Sequence, residues 1–197
     1  MRTTTEIYQL IYEESIIVSE LLLPKGKLGL YRKDSDGDFI FFHPALHENK
    51  PYLRCILAEE LGHYFTLLGN YKYSGKVSYQ TFINISKEEN KALRWATDYL
   101  IETEELLEFF YDDNLSVYSL AGAFEVTPEF MLQKLYYMSY DMLQWYVAKN
   151  KLLCLSCLPN FFVSQILDDK KVQKTKLQTY RRLSCKSISR KRQKNTV

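Results

Sequence analysis

The segment Leu57–Thr66, LAEELGHYFT, sets two glutamates and a histidine into an otherwise apolar stretch. Glu59 and His63 are four residues apart, which is roughly 400° of rotation on a helix, so their side chains meet on one face a single turn apart. Glu60 lies at the edge of that face. The surrounding apolar residues recur at helical spacing: Ile56, Leu57, Leu61, Tyr64, Phe65 and Leu68. The sequence therefore predicts a buried helix over about residues 50–68.

The spacing of these groups is that of the H-E-x-x-H pattern with its first histidine replaced. In that pattern two histidines one turn apart bind zinc, and the glutamate between them is the general base toward a water. Here Glu59 stands at the first ligand position, Glu60 at the general base and His63 at the second ligand. A catalytic zinc keeps three protein ligands and an open position, so a third ligand has to come from elsewhere. Glu89, in the next long helical segment, is the best candidate.

A carboxylate at position 59 alters the chemistry expected of such a site. One histidine and two carboxylates neutralise the charge of a divalent ion, so the ion lowers the pKa of its bound water less. Harder ions such as Mn2+ then compete better with Zn2+. The alternative interpretation is that Glu59 and Glu60 form a solvated face and His63 is a surface or capping histidine. The five-residue pattern taken alone favours that alternative.

Length and composition limit the classes of protein to which the chain can belong. With 197 residues, 46% of them hydrophobic, the chain can form one well-buried domain with room for a small appended one. It has no run of apolar residues long enough to span a membrane, and its N-terminus has neither a basic nor an apolar leader region, so a cytoplasmic protein is expected. The four cysteines lack the dense spacing of a secreted disulfide framework, and reduced thiols are the default expectation.

Charge is distributed unevenly along the chain. Residues 168–197 contain eleven Lys/Arg against two Asp, a net charge of +9, whereas the rest of the chain carries −7. Such a segment cannot be buried, so a basic, flexible tail is expected. A solvated tail is favoured over dedicated nucleic-acid binding, and contact with the acidic body is a third possibility.

The remaining pattern predicts an α+β unit that is mainly helical. Thr3–Thr5 followed by Glu6 starts a first amphipathic helix. The runs IIVSELLL, LGLYRK and DFIFF, the last two joined by the turn sequence DSDG, predict a small antiparallel sheet. Residues 70–86 are polar and aperiodic and predict a loop, after which Ser86 and Glu89 form a capping box that starts the next long helix.

The C-terminal half begins with a short helix expected over about residues 102–110. A helix-turn-helix-like element follows, with Thr127 as N-cap and Pro128 at the first helical position of its second helix. The expected divisions are a domain over 1–150 that includes the helix-turn-helix-like helices at about 115–149, an apolar extension over 151–167, and the basic tail over 168–197.

Two other groups of residues are candidates for chemistry. His43 and His47 are four residues apart, but Pro44 disfavours a helical His43, so loop or strand-end positions are expected, with a role in a substrate cleft left open. Cys154 and Cys157 form the sequence CLSC, which matches half of a structural zinc site or a redox pair. Buried thiols in an apolar segment are the better account of them.

The helix-turn-helix-like element is a candidate for reading DNA. Its second helix offers Glu129, Gln133 and a single basic residue, Lys134, to a phosphate backbone. This is too acidic for a helix that enters the DNA groove. A surface that docks a protein partner is preferred.

These motifs together resemble the ImmA/IrrE-like metallopeptidases of bacteria and their mobile elements. The resemblance covers about residues 28–145 and rests on GLY in the predicted sheet, CILAEELGHYFT, EENKALRWATDYLI and LAGAFEVTPEFM. Matched motif for motif, it implies Glu59, His63 and Glu89 as metal ligands and Glu60 as the catalytic glutamate. A glutamate at position 59 is a recurrent variant in this family, with the surrounding LAEELGH intact.

The resemblance implies a zincin-like fold and a zinc-dependent metallo-endopeptidase, with Mn2+ or another divalent metal as alternatives to Zn2+. The expected partner is a helix-turn-helix repressor, cleaved or inactivated through a metal-activated water to release a prophage, mobile element or stress response. No membrane partner is expected, and direct nucleic-acid binding is not expected, although the basic tail leaves it open. The alternative is a catalytically silent protein that binds the repressor through the same surface.

Overall fold

The computed structural model describes residues 1–66, 79–111, 115–147, 150–166 and 169–194, and it describes the side chains of all of these except 79–85, 169 and 184–194. The chain divides into two compact units. The first comprises Met1–Ile101 with Ala121–Phe130, and the second comprises Glu102–Leu120 with Met131–Val197. The sequence had suggested divisions near residues 150 and 168. The expected fold class, a mainly helical α+β protein, is confirmed.

The first unit contains a small sheet and three helices. Its elements in chain order are α1 (Thr4–Glu13), β1 (Ile17–Glu20), β2 (Gly29–Asp34), β3 (Gly37–Phe42), a 3-10 helix (Pro44–Glu48), α2 (Lys50–Thr66) and α3 (Tyr79–Leu100). Helix α1 starts where it was predicted to start, with a capping box in which the Thr3 side chain accepts the Glu6 N–H and the Glu6 carboxylate accepts the Thr3 N–H. Helix α2 matches its prediction over the described residues.

The sheet has the order β1-β3-β2. Strands β2 and β3 form the predicted hairpin, and Gly37 at its turn has a φ of +136°, which favours glycine. Strand β1 is parallel to β3, so the expectation of a wholly antiparallel sheet is wrong and the sheet is mixed. The long connection from β1 to β2 lets the chain reverse and place β2 on the far side of β3.

Helix α3 begins earlier than the sequence suggested. It starts at Tyr79, so the expected loop is wrong for residues 79–86, while residues 70–78 lie outside the described residues. Ser86 lies seven residues inside this helix and is therefore not an N-cap. A capping box is a local signal, and the buried apolar stripe of a long helix overrides it. The buried stripe of α3 comprises Ala92, Ala96 and Leu100.

The second unit combines helices with a second sheet. Its elements are α4 (Thr103–Phe109), parts of α5 (Val117–Ala123) and α6 (Pro128–Asp141), β4 (Gln144–Tyr146), β5 (Lys151–Cys154), β6 (Phe162–Gln165) and α7 (Asp169–Lys194). The N-cap of α6 is confirmed, because the Thr127 hydroxyl accepts the Phe130 N–H at 3.2 Å. Strands β4, β5 and β6 form an antiparallel sheet. Strands β5 and β6 lie in the segment expected as an apolar extension, whereas β4 lies within residues 115–149, where the expectation of helix is wrong after Asp141.

The segment expected to be a flexible tail forms α7. Val172, Thr175 and Thr179 recur at helical spacing and are buried, so this part of the segment has one face that packs although its other faces are basic. The net charge of the segment gives no indication of this narrow buried stripe. Among the described residues, no helix is both long enough and apolar enough to cross a membrane.

Candidate metal centre

Three side chains of the first unit converge where α2 and α3 pack together. Glu59 and His63 lie one turn apart on α2, as their spacing predicted, and Glu89 reaches them from α3. One potential ligand atom from each of the three lies within 4.8 Å of the others. The His63 Nε2 and a Glu89 carboxylate oxygen are 3.2 Å apart. Glu59 and His63 are half-buried, and Glu89 is exposed.

The close approach of the two helices depends on Gly62. A Cβ at this position would lie only 2.2 Å from the carbonyl oxygen of Ala92 on α3. Gly62 adjoins His63, and Ala92 lies one turn beyond Glu89, so the contact sits beside two of the three candidate ligands. A glycine inside a buried helix indicates close packing, but it does not identify the element that packs against it.

Residues of strand β2 contact Glu60, the fourth residue of the candidate site, which itself lies on α2. Glu60 is 8% exposed, and its carboxylate accepts a hydrogen bond of 2.6 Å from the backbone N–H of Tyr31. A Cβ on Gly29 would lie 2.4 Å from the other oxygen of this carboxylate. Gly29 therefore leaves the space that Glu60 occupies, and the Tyr31 N–H fixes its orientation. The sequence had placed both residues in the sheet without assigning them these contacts.

Burial shapes the titration of the two glutamates on α2. Burial, with the charges of Glu59 and Glu89 adding to it, raises the pKa of Glu60 to about 7, although His63 and the Tyr31 N–H act in the opposite direction. Burial also raises the pKa of Glu59, against the opposing charge of His63. Glu60 therefore changes its protonation near neutral pH, which suits a group that first accepts and then returns a proton.

His63 and Glu89 form an ion pair. Burial lowers the pKa of His63, but the hydrogen bond to Glu89 and the charges of Glu60, Glu89 and Glu59 outweigh it, so the pKa stands above its ordinary value. The same hydrogen bond lowers the pKa of Glu89. Three carboxyl groups thus surround one imidazole. The negative electrostatic potential of this cluster of carboxyl groups attracts a cation.

The donor set fits a divalent metal ion. Imidazole and carboxylate ligands bind zinc at about 2.0–2.2 Å, so the ligand atoms of a tetrahedral site lie roughly 3.4 Å apart. The His63–Glu89 separation of 3.2 Å is close to this value, and the 4.8 Å limit on all three pairs leaves only a small side-chain adjustment. Where side chains are described, no other group of three such residues converges in this way.

Aromatic side chains support the C-terminal turn of α2. The Tyr64 ring meets the Tyr31 ring edge to face at 6.0 Å, and its hydroxyl donates a hydrogen bond of 2.9 Å to Glu14. Phe65 stacks on Trp95 of α3 at 4.7 Å. These contacts fix the turn that carries His63 against both the sheet and α3.

The two histidines and two cysteines that were also candidates for chemistry lie elsewhere. His43 is the N-cap of the 3-10 helix and accepts the Ala45 N–H, and His47 pairs with Glu20 at 2.8 Å, which agrees with the expected non-helical position of His43. Cys154 is buried as expected, whereas Cys157 is exposed.

In the helix-turn-helix-like element, Lys134 is fully buried and donates to the Thr103 hydroxyl at 3.1 Å. It is therefore not available to a phosphate backbone, and the argument against DNA reading by this element is strengthened.

Comparison with known proteins gives one match. The family model described as the IrrE N-terminal-like domain, Peptidase_M78, matches residues 12–136. The matched segment contains the three converging residues and Glu60, and it ends within α6, before β4, β5, β6 and α7. No curated protein and no solved structure matches the chain.

Proposed function

Because the chain belongs to the IrrE N-terminal-like family of metallopeptidases, we propose that it is a zinc-dependent endopeptidase that cleaves or inactivates a helix-turn-helix repressor. The family resemblance of the sequence supports this choice of substrate. Cleavage of the repressor would release a prophage, a mobile element or a stress response in the cytoplasm. The observation that carries the peptidase chemistry is the convergence of Glu59, His63 and Glu89 beside the buried Glu60.

The proposed ligands are Glu59, His63 and Glu89. When bound, a divalent ion lowers the pKa of a coordinated water and polarises the carbonyl of the scissile peptide. Two carboxylates and one imidazole balance the charge of such an ion, so Mn2+ is a credible competitor of Zn2+. The ion pair between His63 and Glu89 holds these two side chains close together before a metal binds.

Glu60 is the proposed general base. The Tyr31 N–H and the space at Gly29 hold its carboxylate in one orientation, so little reorganisation is needed when a proton is transferred. Burial raises its pKa in the metal-free protein, and a cation bound beside it would favour the carboxylate, which would accept a proton from water and then pass that proton to the leaving amine. Its burial keeps competing solvent away from the transfer.

A cleavage assay with a purified helix-turn-helix repressor tests the proposal. The protein is added at about one-tenth of an equivalent, and products are identified by mass spectrometry for the wild type, Glu60→Gln and the control Glu48→Gln, which changes an exposed glutamate of the 3-10 helix. We expect multiple turnovers and one pair of fragments from the wild type and from Glu48→Gln, and no fragments from Glu60→Gln. Cleavage by Glu60→Gln at the wild-type rate would remove Glu60 from the mechanism.

Elemental analysis of protein purified without chelator tests the ligand set. The wild type and Glu60→Gln should each carry about one equivalent of metal, since a catalytic site holds a single ion. His63→Ala and Glu89→Ala should lose it. A wild type that stays free of metal after supplementation, yet binds the repressor in a fixed stoichiometry without fragments, would establish the silent binder instead.

A further inference from the structure

Helix α7 has one face that packs within the second unit. Val172, Thr175 and Thr179 are each at most 6% exposed. The Thr179 hydroxyl accepts a hydrogen bond of 3.0 Å from the backbone N–H of Tyr146 on β4. These contacts fix the rotation of the helix about its axis, so its opposite face is turned toward solvent.

The face opposite these contacts is basic. Lys170, Lys174 and Arg181 lie within about 40° of one another on a helical projection, directly opposite the buried stripe, and all three are exposed. Lys171 and Arg182 are exposed as well and lie to one side of them, where Arg182 donates a hydrogen bond to Asp141. Residues 170–197 contain no Asp or Glu, so the basic character continues in the sequence to the end of the helix at residue 194.

The shape and charge of α7 favour duplex DNA over other polyanions. A helix that lies on a membrane needs a continuous exposed apolar face, whereas the large apolar side chains that the described part of α7 exposes are Leu177 and Tyr180, which are set among basic and polar residues. Its 26 residues extend over roughly 39 Å, about one turn of B-form DNA, and the major groove of that duplex is wide enough for a helix. The deep, narrow major groove of A-form RNA is not.

We propose that α7 is a docking helix for double-stranded DNA, which binds phosphates through Lys170, Lys174, Arg181 and their basic neighbours without reading the base sequence. The segment lies outside residues 12–136, so it is separate from the part of the chain that matches the peptidase family. DNA binding by α7 needs neither the metal nor Glu60. If the substrate is a repressor bound to its operator, the helix would raise the local concentration of the peptidase at that substrate.

Fluorescence anisotropy with a labelled 24-base-pair duplex of arbitrary sequence tests the proposal, using the full chain between 50 and 200 mM salt. The charge-removing variant combines Lys170→Gln, Lys174→Gln and Arg181→Gln. We expect its affinity to be at least about tenfold weaker than that of the wild type at low salt, and the slope of log affinity against log salt to be smaller by about 2–3.

Two matched variants complete the experiment. Lys170→Arg, Lys174→Arg and Arg181→Lys together keep the charge and should keep the affinity. Lys25→Gln, Lys50→Gln and Lys87→Gln remove three exposed charges from the first unit and should leave DNA binding nearly unchanged. Circular dichroism of each variant checks that helix content is retained.

Three results would overturn the inference. The first is no DNA binding by the wild type at 50 mM salt. The second is equal binding by the wild type and the charge-removing variant. The third is binding of anionic phosphatidylserine vesicles, but not the duplex, through the same charges, which would assign α7 to a membrane surface. Since neither substrate nor metal enters the assay, its outcome is independent of the proposed peptidase function.

Discussion

Replacing Gly62 with alanine should force α2 and α3 apart. The added Cβ would lie 2.2 Å from the carbonyl oxygen of Ala92 and 2.8 Å from its carbonyl carbon. Non-bonded carbon atoms pack at about 3.5–4.0 Å, so the two helices would have to separate by roughly 1 Å. The obstacle is backbone, which cannot rotate out of the way as a side chain can.

The change in stability is the balance of two effects. Overpacking a core costs about 1–3 kcal/mol. The higher helix propensity of alanine stabilises the folded state by up to about 1 kcal/mol. The free energy of unfolding of Gly62→Ala should therefore be lower than that of the wild type by up to about 2 kcal/mol.

The larger effect is expected on metal binding. Metal ligands have to be held to within about 0.2 Å, and a helix separation of roughly 1 Å would draw His63 away from Glu89. We expect the zinc affinity of Gly62→Ala to fall at least about tenfold, as is found when the groups that orient metal ligands are disturbed.

Competition titration against a chromophoric chelator measures this affinity, and denaturant unfolding in EDTA measures the stability. Gly122→Ala in α5 is the matched control, because a Cβ there meets nothing within 4 Å. It should bind zinc like the wild type and be equally stable or slightly more stable. Wild-type zinc affinity and stability in Gly62→Ala would refute the reasoning. Lost stability with wild-type affinity would show that the contact does not align the ligands.

Further predictions concern Glu60 and the packing around α2. Gly29→Ala puts a Cβ 2.4 Å from a Glu60 oxygen, so peptidase kcat should fall at least about tenfold while metal content by elemental analysis stays unchanged. Burial raises the pKa of Glu60 from 4.5 to about 7, so the folded state binds the extra proton and the metal-free protein loses stability as pH rises between these values. Glu60→Gln should remove the part of this loss that Glu60 contributes, about 2–3 kcal/mol between pH 5 and pH 8, in denaturant unfolding with EDTA; equal pH profiles would contradict it. Arg54→Met removes a buried guanidinium that donates hydrogen bonds to Thr4 and to the carbonyl oxygens of residues 2 and 124. The free energy of unfolding should therefore fall by about 2–4 kcal/mol in denaturant unfolding. The control Arg32→Met, which changes an exposed arginine, should change it little.

Much of the candidate site could be predicted because it is encoded locally. Four-residue spacing places Glu59 and His63 on one helical face in any helix, and the apolar residues around them make that helix a buried one. Glu89 was proposed from an incorrect helix start at Ser86, yet its place on α3 depends on the phase of the apolar stripe, which does not change when the helix begins earlier.

The contacts that complete the site depend on tertiary structure. Gly62 and Ala92 are thirty residues apart in the chain, as their numbers show, and no periodicity within either segment reports that their helices touch. The hydrogen bond from the Tyr31 N–H cannot be predicted from residue types, because its donor belongs to the backbone. Strands β4, β5 and β6 were missed because they are only three or four residues long, too short to establish an alternating pattern.

The hydrogen bond from Tyr31 to Glu60 has a consequence for mutational studies. Its donor is a peptide N–H, which every amino acid except proline supplies. Substitutions at position 31 other than proline therefore keep this hydrogen bond even though they remove the ring contact with Tyr64, so residue identity there carries no record of the main-chain contact. An alanine scan would pass over it, and only Tyr31→Pro or replacement of the amide by an ester would expose a dependence that belongs to the main chain.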